Sequence, residues 1–258
     1  MMSFFYELNP VLQSLIAGIG TFTITSLGAA CVFLFKDINK KVMNILLSIS
    51  AGIMLSSSFF SLINPALENA KKINFPNWLL CSFGIMLGCI LLFSCDKLYT
   101  NKHQNLKRIN NLILSITLHN FPEGMAFGVA FGAAKYGIGN ATVISALMLA
   151  ASIGIQNFPE GSAISFPLYR DGYTKFKAFI IGAMSAIVEP IAAVIGALLV
   201  VKAQIILPIL LSFAAGAMLY VTVVELIPES MASEKKEHMA LYLVIGFIIM
   251  MMLDVALG

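Results

Sequence analysis

Two six-residue stretches set groups that could hold a cation inside otherwise apolar sequence. They read His119-Asn120-Phe121-Pro122-Glu123-Gly124 and Gln156-Asn157-Phe158-Pro159-Glu160-Gly161. On a helix, His119 and Glu123 stand four residues apart and Asn120 and Glu123 three apart, so imidazole, amide and carboxylate converge on one face. Gln156, Asn157 and Glu160 repeat that arrangement. Each proline removes a backbone donor and frees the carbonyl four residues earlier, at Leu118 and Ile155. Of the 13 acidic residues, Glu123, Glu160 and a third, Glu189, which precedes Pro190, fall well inside apolar runs. A charged side chain at mid-bilayer costs at least about 2.5–3.5 kcal/mol on insertion scales. No Lys or Arg lies near the middle of these runs to pair with the carboxylates, so a bound cation is the remaining compensation. Imidazole, carboxylate and amide oxygen without a thiolate suit divalent Zn, Mn, Fe or Co and disfavour Cu(I). Three carboxylates could hold two dications through bridging glutamates. Interhelical hydrogen bonding is the other use for such groups, and it accounts poorly for two copies of the motif with a third buried glutamate.

The elements that must position these groups are membrane helices. The chain has 258 residues, 59% hydrophobic and 11% charged, with mean hydropathy +0.90. A soluble domain carries about 25% charged residues, so this chain cannot cover a globular surface. A net charge of +3, scattered along the sequence, points away from nucleic-acid binding. Cys31, Cys81, Cys89 and Cys95 sit in or beside apolar runs without metal-ligand spacing and read as small packing residues. Met1 to Pro10 has no Lys or Arg before the first apolar run, which argues against a cleaved signal peptide.

A helix needs about 20 apolar residues to cross a bilayer. Eight segments meet this, approximately Pro10–Phe35, Val42–Leu67, Asn77–Leu98, Ile109–Ala133, Asn140–Leu168, Lys177–Val201, Ala203–Ile227 and His238–Leu257. The sixth and seventh nearly touch at Lys202, where Pro190 and Pro208 suggest two spans rather than one. With the N-terminus outside, twelve of the 16 Lys and Arg fall on inner links, as the positive-inside bias requires. Seven or nine spans would break that alternation, so eight spans with both termini extracytoplasmic is the expected topology. The fourth and fifth segments, joined by a short link, should be antiparallel neighbours with their motifs at similar depth. Gly18, Gly20, Gly52, Gly84, Gly88, Gly182, Gly196 and Gly216 read as close-packing residues between helices. Met250-Met251-Met252 reads as lipid-facing filler, and His103 and His238 as bystanders.

At these motifs the chain resembles the ZIP (Zrt/Irt-like) family of metal transporters, in particular its bacterial ZupT/GufA-type branch. The resemblance also rests on Val188-Glu189-Pro190, Ala51-Gly52-Ile53-Met54-Leu55 and Glu225-Leu226-Ile227-Pro228-Glu229-Ser230, and it covers nearly the whole chain. It implies an all-α polytopic membrane protein, a single transporter domain over residues 1–258. Eight transmembrane helices in a 3+2+3 arrangement would have the first three and last three related by inverted pseudosymmetry. One metal site would use His119, Glu123, Gln156 and Glu160. An adjoining site would use Asn120, Asn157 and Glu189, with Glu123 and Glu160 bridging. Met54 would flank the site, and Glu225 and Glu229 would help release metal at the inner end of the seventh span. The implied activity is transport of a divalent cation into the cytoplasm across the plasma (inner) membrane, with no cofactor beyond the transported ion. Zinc leads, followed by iron, manganese, cobalt or cadmium; the lipid bilayer is the other partner, and a homodimer stays open.

Two features depart from the family pattern. Gln156 stands where many relatives have histidine, which removes a nitrogen ligand and should weaken or broaden zinc preference. The link between the third and fourth segments holds only His103, not a long histidine-rich loop, so a metal-sensing loop is in doubt. A membrane-embedded metal-dependent enzyme is the alternative reading, but no His-Glu-x-x-His helix and no Ser/His or Cys/His pair accompanies the motifs.

Overall fold

Caps and breaks written into the sequence set the helix ends in the computed structural model, which describes residues 2–35, 39–71, 73, 75–99, 104–138, 141–233 and 235–257. Lys36, Lys72, Lys102, His103 and Asn140 lie outside the described residues, as do the side chains of Cys95, Lys107, Arg108, His119 and Lys202. After a short α1 (Met2–Glu7), the Asn9 side chain accepts from the Leu12 amide at 2.8 Å, and Pro10 presets the first turn of α2 (Pro10–Ala30). Asn39 caps α3 (Lys40–Ser57), which continues as a π-helical stretch, Ser58–Ile63, into α4 (Asn64–Ala70). Next come α5 (Asn77–Tyr99) and the 33-residue α6 (Gln104–Tyr136). A left-handed glycine ends α6: Gly137 has φ +62° and lets the Ile138 amide reach back to the Ala133 carbonyl at 2.9 Å.

Thr142 and Ser145 form a reciprocal capping box that starts α7 (Val143–Arg170). Thr174 caps α8 (Lys175–Met184), a break at Ser185–Ile187 follows, and α9 covers Val188–Leu198. Helix α10 (Val200–Val221) passes through a second π-helical stretch, Thr222–Leu226, into α11 (Ile227–Ser230), and α12 (Lys236–Leu257) completes the chain. Both π-helical stretches lead into a helix with proline in its first turn, Pro65 and Pro228. A widened turn accommodates a ring that lacks an N–H and crowds the carbonyl before it.

Among the described residues, six helical runs are long and apolar enough to cross a membrane: Pro10–Leu34, Lys40–Ala70, Asn77–Ser94, Lys175–Leu198, Ile206–Ser230 and Lys236–Ala256. Helices α6 and α7 have the length but carry the polar motifs. The sixth and seventh expected segments do separate, at Leu199 rather than Lys202, and Pro208 lies within α10 rather than at a boundary. Pro122 and Pro159 lie inside continuous helices; Pro190 instead falls in the first turn of α9, where its missing N–H leaves no intrahelical bond unmade. Met250 is buried, and of the methionine run Met252 is the exposed member.

Helix pairs make the core: α2 against α7, α6 against α9, α3 against α12 and α5 against α10. In lipid these contacts gain little from hydrophobicity and depend on close backbone approach. A Cβ on Gly28 would stand 1.9 Å from the Phe158 carbonyl oxygen, and one on Gly196 2.6 Å from that of Met125. Gly52 and Gly216 meet the Leu243 and Ile85 carbonyls in the same way, at 1.9 and 2.1 Å. Gly20 differs from the expected packing role, since nothing lies within 4 Å of its added Cβ. Overpacking of this kind costs about 1–3 kcal/mol, so Gly28→Ala should lower the melting temperature in detergent while Gly20→Ala leaves it within error. Equal melting temperatures for the two variants would show that α2 and α7 do not meet at Gly28.

Candidate metal site

The doubled motif is folded so that its glycines, not only its polar residues, build the site. An added Cβ on Gly124 would lie 2.4 Å from the Glu189 carbonyl oxygen, so α9 rests on α6 at the third glutamate. The equivalent Cβ on Gly161 would lie 2.1 Å from the Thr25 oxygen, which seats α2 on α7. Gly18 lets α2 approach Pro190, with an added Cβ only 2.6 Å from its Cα. Glutamate and glycine are adjacent in both copies, so the contact that admits a neighbouring helix also fixes where the carboxylate sits.

Six of the seven expected ligands can be placed by side chain, and all six are fully buried: Asn120, Glu123, Gln156, Asn157, Glu160 and Glu189. The seventh, His119, has its backbone in α6 one turn before Glu123. The Gln156 amide nitrogen donates to Glu123 Oε1 at 2.6 Å, which joins α7 to α6. The Ser57 hydroxyl donates to Gln156 Oε1, which joins α3 to the same pair. Glu160 and Glu189 are the charged neighbours of Glu123, and Thr21 and Asn157 are the polar neighbours of Glu189. Asn120 donates to the Ser185 carbonyl in the break before α9, at 3.3 Å.

This cluster leaves oxygen atoms over. Asn120 Oδ1, Glu123 Oε2, Asn157 Oδ1 and both carboxylate oxygens of Glu189 are buried without a hydrogen-bond partner among the described residues. A buried acceptor left unpaired costs about 1–3 kcal/mol, more when charged, so five in one place call for something positive between them. Among the described residues no three His, Cys, Asp or Glu side chains stand as one preformed metal-holding group; the Gln156 amide donates to Glu123 instead.

Residues 99–254 match the family described as ZIP Zinc transporter. The chain belongs to the ZIP family. This ZIP chain is 34% identical over 338 residues to the human protein named Zinc transporter ZIP11, an alignment covering 97% of this chain and 98% of that protein. It is 33% identical over 258 residues to Zinc transporter ZIPB of Bordetella bronchiseptica, covering 95% and 81%. With Zinc transporter GufA of Myxococcus xanthus it shares 32% identity over 262 residues, covering 96% and 98%. The family is one of transporters and not of enzymes, which leaves the enzyme alternative without support. With its membrane-length apolar helices, this ZIP chain is a multi-pass membrane protein.

The expected flanking residues come from α3, the second π-helical stretch and α11. Met54 is fully buried on α3, one turn before Ser58. Glu225 is half-buried in the second π-helical stretch, and Glu229 in α11 makes an ion pair with Arg170 at the end of α7.

Sequence reasoning missed a second polar layer. Asp254, in the last turn of α12, accepts from Ser61 at 2.7 Å and from Ser152 at 2.5 Å. It lines a cavity of about 330 Å³ with Ser61, Asn64, Ser145 and Ser152. Ser61 follows Ser57 by four residues and Ser152 precedes Gln156 by four, so this layer lies one turn from the Ser57–Gln156 contact on both helices. That shared spacing was the available signal; hydroxyls so often serve their own helix that it carried no weight in the sequence alone. Asp254→Ala should cost about 1–3 kcal/mol by leaving two buried hydroxyls without an acceptor, and Asp254→Asn, which keeps one acceptor oxygen, should cost less. Thermal unfolding in detergent measures both, and identical midpoints for them would remove Asp254 as the organising acceptor.

Proposed function

We propose that this chain carries divalent transition-metal cations across the plasma (inner) membrane into the cytoplasm, as one transport domain spanning residues 1–258. Zinc is the leading substrate, with iron, manganese, cobalt or cadmium behind it. The observation that carries this reading is the set of unpaired, buried oxygens from Asn120, Glu123, Asn157 and Glu189, contributed by helices α6, α7 and α9. A hard or borderline dication is the partner that such a set of oxygens lacks. The names of the relatives, zinc transporters in bacteria and vertebrates, favour zinc within that class.

In this reading the cations occupy two adjoining positions. His119, Glu123, Gln156 and Glu160 hold one; Asn120, Asn157 and Glu189 hold the other, and Glu123 and Glu160 bridge. Met54 flanks the first, and Glu225 and Glu229 serve release toward the cytoplasm. Eight membrane spans in a 3+2+3 order agree with the packing, and the positive-inside bias sets both termini extracytoplasmic. The contact of α2 with α7 has its counterpart in that of α9 with α6, and the contact of α3 with α12 in that of α10 with α5. The two π-helical stretches occupy corresponding places in the two halves. An inverted repeat of three helices around α6 and α7 produces that pattern of pairs.

Uptake of radiolabelled zinc or manganese into liposomes holding the purified protein tests the reading directly, and no movement of any divalent metal would overturn it. Glu123→Ala or Glu160→Ala should abolish uptake and remove both bound metals. Asn120→Ala should remove one and leave measurable uptake; equal, mild effects from all three would argue against two positions sharing bridging glutamates. Gln156→His adds an imidazole and should raise the zinc-to-manganese uptake ratio. An unchanged ratio would place Gln156 outside the ligands.

A further inference from the structure

Hydroxyls on membrane helices ordinarily donate back to their own helix, four residues earlier. Ser14, Thr25, Ser48, Ser58, Ser212 and Thr222 all do so here. Ser57 does not. It is fully buried at the end of α3, and its hydroxyl leaves the Ile53 carbonyl aside to donate across to Gln156 Oε1. The other end of the same amide donates to Glu123 Oε1 at 2.6 Å. Gln156 is therefore held at both ends, with its nitrogen turned toward the carboxylate.

That orientation matters for a metal. An amide nitrogen has its lone pair delocalised into the carbonyl and does not ligate; the oxygen does. As held, Gln156 presents its non-ligating end to Glu123 and gives its ligating end to a serine. For the oxygen to join Glu123 around a cation, the amide must turn over and give up both bonds. We propose that Ser57 is a positioning residue that holds the Gln156 amide in its non-ligating orientation and so restrains the affinity of the site for its metal. This rests on the assignment of Gln156 and Glu123 to the metal site.

The restraint has a use in a transporter, because a site that binds too tightly does not release. With the metal absent, the amide N–H offers Glu123 a hydrogen bond in place of the cation, and Ser57 keeps it there. When metal arrives the two compete, and the strength of the serine bond sets part of the difference.

Competition against a fluorescent zinc chelator, with purified full-length protein in detergent, measures the effect. Ser57→Ala should tighten zinc binding about fivefold, the equivalent of one neutral hydrogen bond at ~1 kcal/mol. Ser57→Thr, which keeps the hydroxyl, should bind as the unaltered protein does. In a Gln156→Ala background, Ser57→Ala should change nothing, since the held group is gone. If Ser57→Ala does not fold, Ser57→Cys, a weaker donor, should show a smaller tightening. Glu123→Ala separates the two readings: zinc binding that survives it overturns the metal site itself. If Glu123→Ala abolishes binding but Ser57→Ala leaves it unchanged or weaker, the restraint is overturned and the site stands. A fivefold effect that persists with Gln156→Ala also overturns it, because Ser57 would then act through another group.

Discussion

Three glutamates packed together, far from any lysine or arginine in sequence, are the constraint on which the rest of the bundle depends. Burial takes water from each of them, and lipid offers neither a counter-charge nor a hydrogen bond. The chain answers by lining the glutamates and Gln156 with amides and hydroxyls from three helices, α2, α3 and α7. Gln156 reaches Glu123, Thr21 and Asn157 stand beside Glu189, and Ser57 holds Gln156 from the far side. Oxygens of Asn120, Glu123, Asn157 and Glu189 are what these groups leave without a hydrogen bond among the described residues.

Backbone proximity makes this possible. An added Cβ at Gly18, Gly124 or Gly161 would collide with the backbone of a neighbouring helix, so α2, α6, α7 and α9 touch where their side chains are smallest. The two halves of the Pro-Glu-Gly sequence thus do different work. Proline loosens the local hydrogen-bond ladder, and glycine draws in the next helix. Glutamate sits between the two effects, at a depth fixed by both. The same logic, without the carboxylate, recurs at Gly52 and Gly216, where α3 meets α12 and α10 meets α5.

How much of this was legible in sequence follows from the physics of each signal. Apolar runs of membrane length announced the long helices, because a bilayer demands that length. The polar motifs stood out because lipid makes them costly, and six of the expected ligands are fully buried in one region. Helix ends were less legible. The break at Ser185–Ile187 has no glycine and lies before the proline, so Pro190 marks the restart of a helix and not its interruption. Asp254 and the serines around it were missed because a carboxylate near the end of a span usually meets water, and only its contacts with Ser61 of the π-helical stretch and Ser152 of α7 show otherwise. Met250 was misassigned to lipid for the same reason: a uniform methionine run does not reveal which face packs.

The π-helical stretch at Ser58–Ile63 has one more consequence, in the arithmetic of chain length. A widened turn of this kind amounts to one residue more than an α-helix would need over the same rise. The extra residue is taken up locally, so the helix before it and the helix after it keep the phase of an unbroken α-helix. Losing a single residue between Ser58 and Ile63 would let the turn close to regular geometry with Asn64 and Pro65 still directed at the cavity they line. A residue lost from the regular turns on either side has no such slack, and it would swing everything beyond it by about 100°. The widened turn is thus a place in this helix where chain length can change by one residue without uncoupling Ser57 from the polar layer beyond it.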